Sequence, residues 1–142
     1  MSVNKLLYKD LSYKIVGAAM EVHSTLGRGF LEAVYEAALA HELSLRDIAF
    51  KTQQRLPVHY KDKLVGDYIA DVVVEDKIIL ELKAIAKLAP IHKAQAHNYL
   101  TATGLSLAIL LNFGAKSLQH TRVVHYTPEA DSHESGQNKH KN

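Results

Sequence analysis

The stretch Asp67–Ala84, DYIADVVVEDKIILELKA, decides how this chain folds. Val-rich and Ile/Leu-rich runs lie on either side of Glu75-Asp76. β-Branched runs favour strands, and a short polar break between two of them reads as a hairpin turn. The predicted pair is Leu64–Val74, broken by Gly66, and Lys77–Ala84 returning antiparallel. On the returning strand Glu81 and Lys83 are two apart, so they share a face with Ile79, while Leu80 and Leu82 face the other way. Asp71 on the first strand then lies near Glu81 across the pair. Burying such charges costs several kcal/mol even when they are paired. They therefore lie at a rim, or they are kept for chemistry.

Outward from this hairpin, helical periods precede it. Leu11, Ile15, Ala18 or Ala19, Val22 and Leu26 recur in steps of three and four, which places one apolar stripe on a helix from about Asp10. Asp10 or Ser12 is the expected cap, and Gly27 and Gly29 end the helix. His23 near that end is expected to pack, to cap or to support Glu32. A second helix is predicted over about Phe30–Arg46, with Leu31, Val34, Tyr35, Ala38 and Leu39 continuing the period. Glu32 falls in its first turn, where a carboxylate is stabilising through the helix dipole alone. Residues 48–60 read as extended, and Pro57 fits an edge strand or a strand start. Lys61-Asp62-Lys63 is a turn.

After the hairpin, Pro90 suits the first turn of a helix running to about Thr103, with Gly104 ending it. Leu105–Phe113, LSLAILLNF, is a nearly continuous apolar run, as in a strand covered on both faces. Parallel pairing of that run with Lys77–Ala84 makes the connection a right-handed crossover. Arg122–Thr127 is a last short strand. Residues 128–142 are polar, include His133 and His140, and are expected to be a disordered tail. The reading is one α/β (α+β-like) domain over residues 1–127, a mixed sheet flanked by helices.

Composition sets limits on function. The 142 residues are 47% hydrophobic and 23% charged, as in ordinary globular domains with a real core. There is no cysteine, so disulfides and thiolate metal sites are excluded. No run reaches the roughly 18 apolar residues of a membrane span, and the N-terminus lacks a signal-peptide layout. The expectation is a cytoplasmic protein with no membrane association. A formal charge of +2 is too mild to establish nucleic-acid binding, but it allows a local basic patch.

The residues that carry chemistry are Asp71, Glu81 and Lys83, spaced D-x9-E-x-K. Two carboxylates within reach suit a hard divalent cation such as magnesium, with water and phosphate oxygens completing the shell. A lysine beside them stabilises charge developing on a phosphate or helps to position a water. The backbone carbonyl of Leu82 is a further candidate ligand. A cross-strand salt bridge is the plain alternative. It is weakened by the apolar strands around these charges and by the helix that follows.

These residues, with Gly29-Phe30-Leu31-Glu32-Ala33-Val34-Tyr35, resemble the PD-(D/E)XK nuclease superfamily, and more closely its group named for the pattern G-x-x-E-x-x-Y. Val22-His23 and Leu26-Gly27 before that pattern, and Glu36 and Ala38-Leu39 after it, fit the same group. Gln95-Ala96-His97-Asn98-Tyr99 is similar to the Q-x-x-x-Y helix of RecB-like and lambda-exonuclease-like branches. The resemblance covers about residues 8–127. Ala70 stands where the superfamily's name has proline.

The resemblance implies a restriction-endonuclease-like core and a Mg²⁺- or Mn²⁺-dependent nuclease acting on DNA or RNA. It implies Glu32, Asp71, Glu81 and the Leu82 carbonyl as metal ligands, and Asp71, Glu81, Lys83 and Gln95 as catalytic residues. Lys87, His92, Lys93, Tyr99 and Arg28 are its candidate contacts to nucleic acid. A homo-oligomer is compatible with so small a nuclease. The competing expectation is a module that keeps the fold, binds nucleic acid or its own copies, and does little chemistry.

Overall fold

A computed structural model describes residues 7–125. Helix α1 (Lys9–Leu26) and helix α2 (Glu32–Leu45) are followed by strands β1 (Phe50–Tyr60), β2 (Lys63–Val74) and β3 (Ile78–Lys83). Helix α3 (Pro90–Thr103), β4 (Leu107–Asn112) and β5 (Gln119–Val124) complete the order. The predicted tail, with His133 and His140, lies outside the described residues, as do residues 1–6.

The five strands lie side by side in chain order. β1–β2, β2–β3 and β4–β5 are antiparallel, while β3–β4 are parallel and joined through α3. Two residues, Lys61 and Asp62, close the first hairpin, and three, Glu75–Lys77, close the second. Lys61 and Asp62 have φ of 48° and 71°, and Glu75 and Asp76 have φ of 50° and 56°. Positive φ at both central residues matches the right-handed twist of the strands they join. Pro57 lies on β1, which is an edge strand, where its missing N–H leaves no break inside the sheet.

Each face of the sheet has its own core. Ile15, Ala19, Tyr35 and Leu39 from α1 and α2 pack with Leu80, Leu82, Ile109 and Leu111 on one face. Ala96 and Leu100 of α3 pack with Ile79, Ala108 and Leu110 on the other. Covering both faces explains why all six residues of β4 are buried and why its sequence is an unbroken apolar run.

Several element ends differ from the expected ones; β3 and β4, for instance, are Ile78–Lys83 and Leu107–Asn112 rather than Lys77–Ala84 and Leu105–Phe113. Neither Asp10 nor Ser12 caps α1 with its side chain; the Ser12 hydroxyl instead accepts from Arg122 Nη1 at 2.6 Å. α2 starts at Glu32 rather than Phe30, because Leu31 is extended at ψ 159°. β5 begins at Gln119 rather than Arg122, since Gln119–Arg122 pair with Ile109–Asn112 of β4. Apolar alternation is weak over those residues, and pairing with a buried neighbour overrides it.

Candidate active site

The site forms where β2 leaves β3. Antiparallel pairing runs Val74↔Ile78, Val73↔Ile79 and Val72↔Leu80, and then stops. Continuing it would pair Asp71 with Glu81. Instead Asp71 Oδ2 accepts the Leu82 backbone N–H at 2.9 Å, so a side chain does what a ladder carbonyl would do. On the other side β1 pairs Thr52↔Val72 and Gln54↔Ala70, passing over Gln53, whose φ is 50°. The faces of β2 exchange at this point. Val72 and Val74 belong to the α1/α2 core, whereas Tyr68 and Ala70 belong to the α3 core. Strict alternation would have kept all four on one side. Such an irregularity bends a strand and re-aims its side chains.

Glu81 and Lys83 are half-buried on β3, whose neighbours Leu80 and Leu82 are buried. Burial raises the Glu81 pKa to about 7; Lys83 opposes the rise and Glu32 adds to it. Burial also raises the Asp71 pKa, against the Leu82 N–H and the Lys83 charge. One ammonium is thus shared electrostatically by two carboxylates that are short of positive charge. Glu81 Oε2 is buried and has no hydrogen-bond partner.

Helix α2 supplies the remaining acids. Glu32 is exposed at its first residue, within electrostatic range of Glu81. Glu36 lies one turn later and is half-buried. Its carboxylate accepts from Gln53 Nε2 at 2.9 and 3.2 Å, which ties α2 to the irregular point on β1. Burial raises the Glu36 pKa; the Gln53 bond opposes this, and Asp71 and Glu32 reinforce it. The sequence reading gave Glu36 no role, although four-residue spacing puts it on the same helix face as Glu32.

Tyr35 sets where that helix begins. Its hydroxyl donates to the Gly27 carbonyl at 2.6 Å and accepts the Phe30 N–H at 3.2 Å. Its ring stacks on Phe113 at 4.7 Å between centroids. Gly27, at φ 71°, ends α1 in a conformation that costs glycine little. His23 supports the same corner: Nε2 lies 3.0 Å from the Ala115 carbonyl, and the ring stacks on Phe113.

The other sequence candidates lie on α3, on the loop before it and beside α2. Gln95 is exposed on α3, and Lys87, Lys93 and Arg28 are exposed. His92 Nδ1 accepts the Ala89 N–H at 2.9 Å, a capping bond for α3 that requires an unprotonated Nδ1. Tyr99 is half-buried and stacks on Tyr68, with centroids 3.5 Å apart and planes 10° apart. Beside them is a cleft of about 540 Å³ lined by Val58, Val65, Tyr68, Ile69, Glu81 and Tyr99, with Asp67 and Gly66. The Leu82 N–H is the backbone group engaged with Asp71.

A divalent cation fits this donor set. The groups are hard carboxylate oxygens in excess over one lysine, one of them buried and unpartnered, and several with raised proton affinity. Among the described residues, no three His, Asp or Glu side chains stand together in an arrangement that could hold an ion. Glu32 acts on Glu81 through charge and Lys83 acts on both Glu81 and Asp71, but the three carboxylates do not converge as a ready-made cage.

Comparison with known proteins fits this architecture. The family model of the PD-(D/E)XK nuclease superfamily matches residues 9–123. No curated protein matches the chain in sequence. Among solved structures, SSO0001 is similar at a TM-score of 0.52 and 17% identity, covering 70% of this chain and 52% of that one. An alkaline exonuclease, LHK-Exo from Laribacter hongkongensis, aligns at a TM-score of 0.47 and 13% identity, covering 68% of this chain and 59% of its own. This chain therefore spans little more than half the length of either. The likeness to SSO0001 is one of fold alone. With the family match running from α1 to β5, the chain belongs to the PD-(D/E)XK nuclease superfamily.

Proposed function

We propose that this protein is a Mg²⁺- or Mn²⁺-dependent nuclease that hydrolyses phosphodiester bonds of DNA or RNA. The observation that carries the reading is the junction of β2 and β3. There Asp71, Glu81 and Lys83 interact, and a buried Glu81 oxygen is left without a partner. Members of the superfamily generally use divalent metals, and the carboxylates here are of the type that holds one. A divalent ion held by Asp71 and Glu81, with Glu32 near, supplies a Lewis acid and lowers the pKa of bound water. Lys83 offers a cation where negative charge grows on the phosphate. Gln95 and the exposed Lys87 and Lys93 extend the site along α3 and its preceding loop.

Within the superfamily, the reading places the chain in the G-x-x-E-x-x-Y group, on the RecB-like and lambda-exonuclease-like branch. Supporting this are Glu32 at the start of α2, Tyr35 fixing that start, and Gln95 and Tyr99 one turn apart on α3.

The test is cleavage of single- and double-stranded DNA and RNA with Mg²⁺ or Mn²⁺. The expected result is divalent-dependent hydrolysis that falls on the order of 10²-fold or more in Lys83→Ala and in Asp71→Ala. Absence of cleavage on every substrate, with salt-sensitive binding retained, would leave a nucleic-acid-binding module in its place.

A further inference from the structure

We propose that Gln53 is a positioning residue: the left-handed backbone conformation it takes inside β1 fixes the direction in which Asp71 presents its carboxylate. The inference rests on the nuclease reading for what Asp71 then holds, a divalent ion. The geometry at Gln53 does not depend on that reading.

β1 and β2 exchange faces together. Phe50 packs with the α1/α2 core, whereas Leu56 and Val58 pack with the α3 core. These residues are an even number of positions apart, so strict alternation would put them on one side. β2 makes the same exchange between Ala70 and Val72. The pairs Thr52↔Val72 and Gln54↔Ala70 leave one residue between them on each strand, Gln53 and Asp71. Neither strand carries an extra residue there, unlike a bulge in which two residues oppose one. The exchange is a rotation of the backbone, centred on Gln53 and Asp71.

Gln53 has φ of 50° and lies inside a strand. The other non-glycine residues with positive φ among the described residues are Tyr8, Asp47 and the pairs Lys61-Asp62 and Glu75-Asp76, all at helix ends or turns. A left-handed conformation is unfavourable for a residue with a Cβ. It persists where surrounding contacts hold it, and such residues cluster at active sites. Gln53 is exposed, so burial of its own side chain does not hold it. Its Nε2 donates to both carboxylate oxygens of Glu36, at 2.9 and 3.2 Å. That bond ties the rotated point of β1 to α2.

The consequence falls on Asp71. Alternation counted from Val73 puts Asp71 on the α3 side; counted from Ala70, it puts Asp71 on the α1/α2 side. Its Oδ2 instead takes the Leu82 N–H of β3 at 2.9 Å, and ladder groups of this kind point along the sheet rather than from either face. Without the rotation, alternation from Val73 would put Asp71 on the same side as Glu81 and Lys83, away from the Leu82 amide.

The test compares Gln53→Ala with Gln53→Gly in the full chain. Both lose the bond to Glu36, and they differ by one methyl group. In an ordinary strand alanine is the more stable of the two; at positive φ the order reverses. Gln53→Gly is therefore expected to melt above Gln53→Ala. The Leu82 amide reports where Asp71 points. Its hydrogen exchange is read against the amides of β4, which follow global opening. The expected protection is about tenfold lower in Gln53→Ala than in Gln53→Gly, with Gln53→Gly within about threefold of wild type. Mn²⁺ affinity by calorimetric titration is expected to fall in the same order. Wild-type Leu82 protection in Gln53→Ala overturns the proposal, and so does an equal loss in the two variants. If Gln53→Ala does not fold, Glu36→Ala is compared with the double variant Glu36→Ala, Gln53→Gly. Leu82 protection that is lost in the first and regained in the second supports the proposal; no recovery overturns it. Leu82 exchange needs neither metal nor substrate. The expected Leu82 order in a chain that neither binds Mn²⁺ nor cleaves nucleic acid removes the nuclease reading alone.

Discussion

The Tyr35 hydroxyl donates to the Gly27 carbonyl at 2.6 Å, across the loop that joins α1 to α2. The same oxygen accepts the Phe30 N–H, so one phenol fixes both sides of the turn into α2. Glu32, the first residue of that helix, is thereby held within electrostatic range of Glu81.

Tyr35→Phe keeps the stack on Phe113 and removes both bonds. The expected loss of stability is about 1–2 kcal/mol. Nuclease turnover is expected to fall more than this stability loss accounts for, because Glu32 loses its fixed starting point. Thermal melts alongside steady-state kinetics check the pair of effects. Unchanged kcat with a lowered Tm would show that the helix alone holds Glu32 in place.

Glu81 gives a pH dependence with a definite sign. Its folded pKa, about 7, lies above the ordinary carboxylate value of 4.5, because burial disfavours the charged form. Between those values the folded state binds more protons than the unfolded state, so stability falls as pH rises through this window. The contribution is fully present below about pH 4.5 and is lost above about 7, a swing of at most about 3 kcal/mol. Asp71 and Glu36 are shifted in the same direction. Glu81→Gln is therefore expected to melt higher than wild type at pH 8 and to flatten the curve between pH 5 and 8. Mg²⁺ or Mn²⁺ is expected to raise the wild-type Tm more at pH 8 than at pH 5, because protons compete for the carboxylates. Melting curves at several pH values, with and without metal, measure both. A variant that melts lower than wild type at pH 8 would contradict the buried-charge account.

Asn112 holds the other end of the site. It is fully buried, and its Oδ1 accepts from the Ile85 and Gly114 N–H groups at 3.0 Å each. Its Nδ2 donates to the Ile85 carbonyl and to Gln119 Oε1 at 2.9 Å each. Gln119 Oε1 in turn accepts the Leu88 N–H at 3.1 Å. The loop between Lys83 and α3 is thus fastened to β4 and β5. Asn112→Ala strands several buried groups and is expected to cost about 3 kcal/mol. Gly114→Ala is expected to be comparably severe, since a Cβ there would lie 2.4 Å from the Ile85 backbone N and O. Chemical denaturation gives both values. Losses below about 1 kcal/mol would mean that the loop is held by other contacts.

How much of this was legible in sequence differs between elements. Pro90 and Gly104 bracket α3 as local chemistry requires, and the paired positive-φ turn at Glu75-Asp76 follows from two apolar runs meeting at a polar pair. β4 was readable because a strand covered on both faces has no polar alternation to conceal it. β5 was misread at its start, because its partner was set by β4 rather than by its own pattern. At the site, the spacing of Asp71, Glu81 and Lys83 was visible, but the way Asp71 reaches across was not. Cross-strand pairing puts Asp71 beside Glu81; in the structure its carboxylate takes the Leu82 amide. Glu36 fitted the G-x-x-E-x-x-Y group's pattern but had no assigned role, and Tyr68 went unnoticed. One is joined to the site through Gln53 on a distant strand, and the other is marked only by an oxygen left without a partner.

The sequence by itself determined the elements, their order and the acidic and basic residues of the hairpin, because periodicity, turns and caps depend on neighbours a few residues apart. Only the tertiary structure decided the face exchange at Asp71, the docking of α2 through Glu36 and Gln53, and the cleft between Tyr68, Tyr99 and Glu81. The reason is physical: a side chain that replaces a ladder bond, or a carboxyl that gains a proton by burial, depends on groups brought together from far apart in the chain.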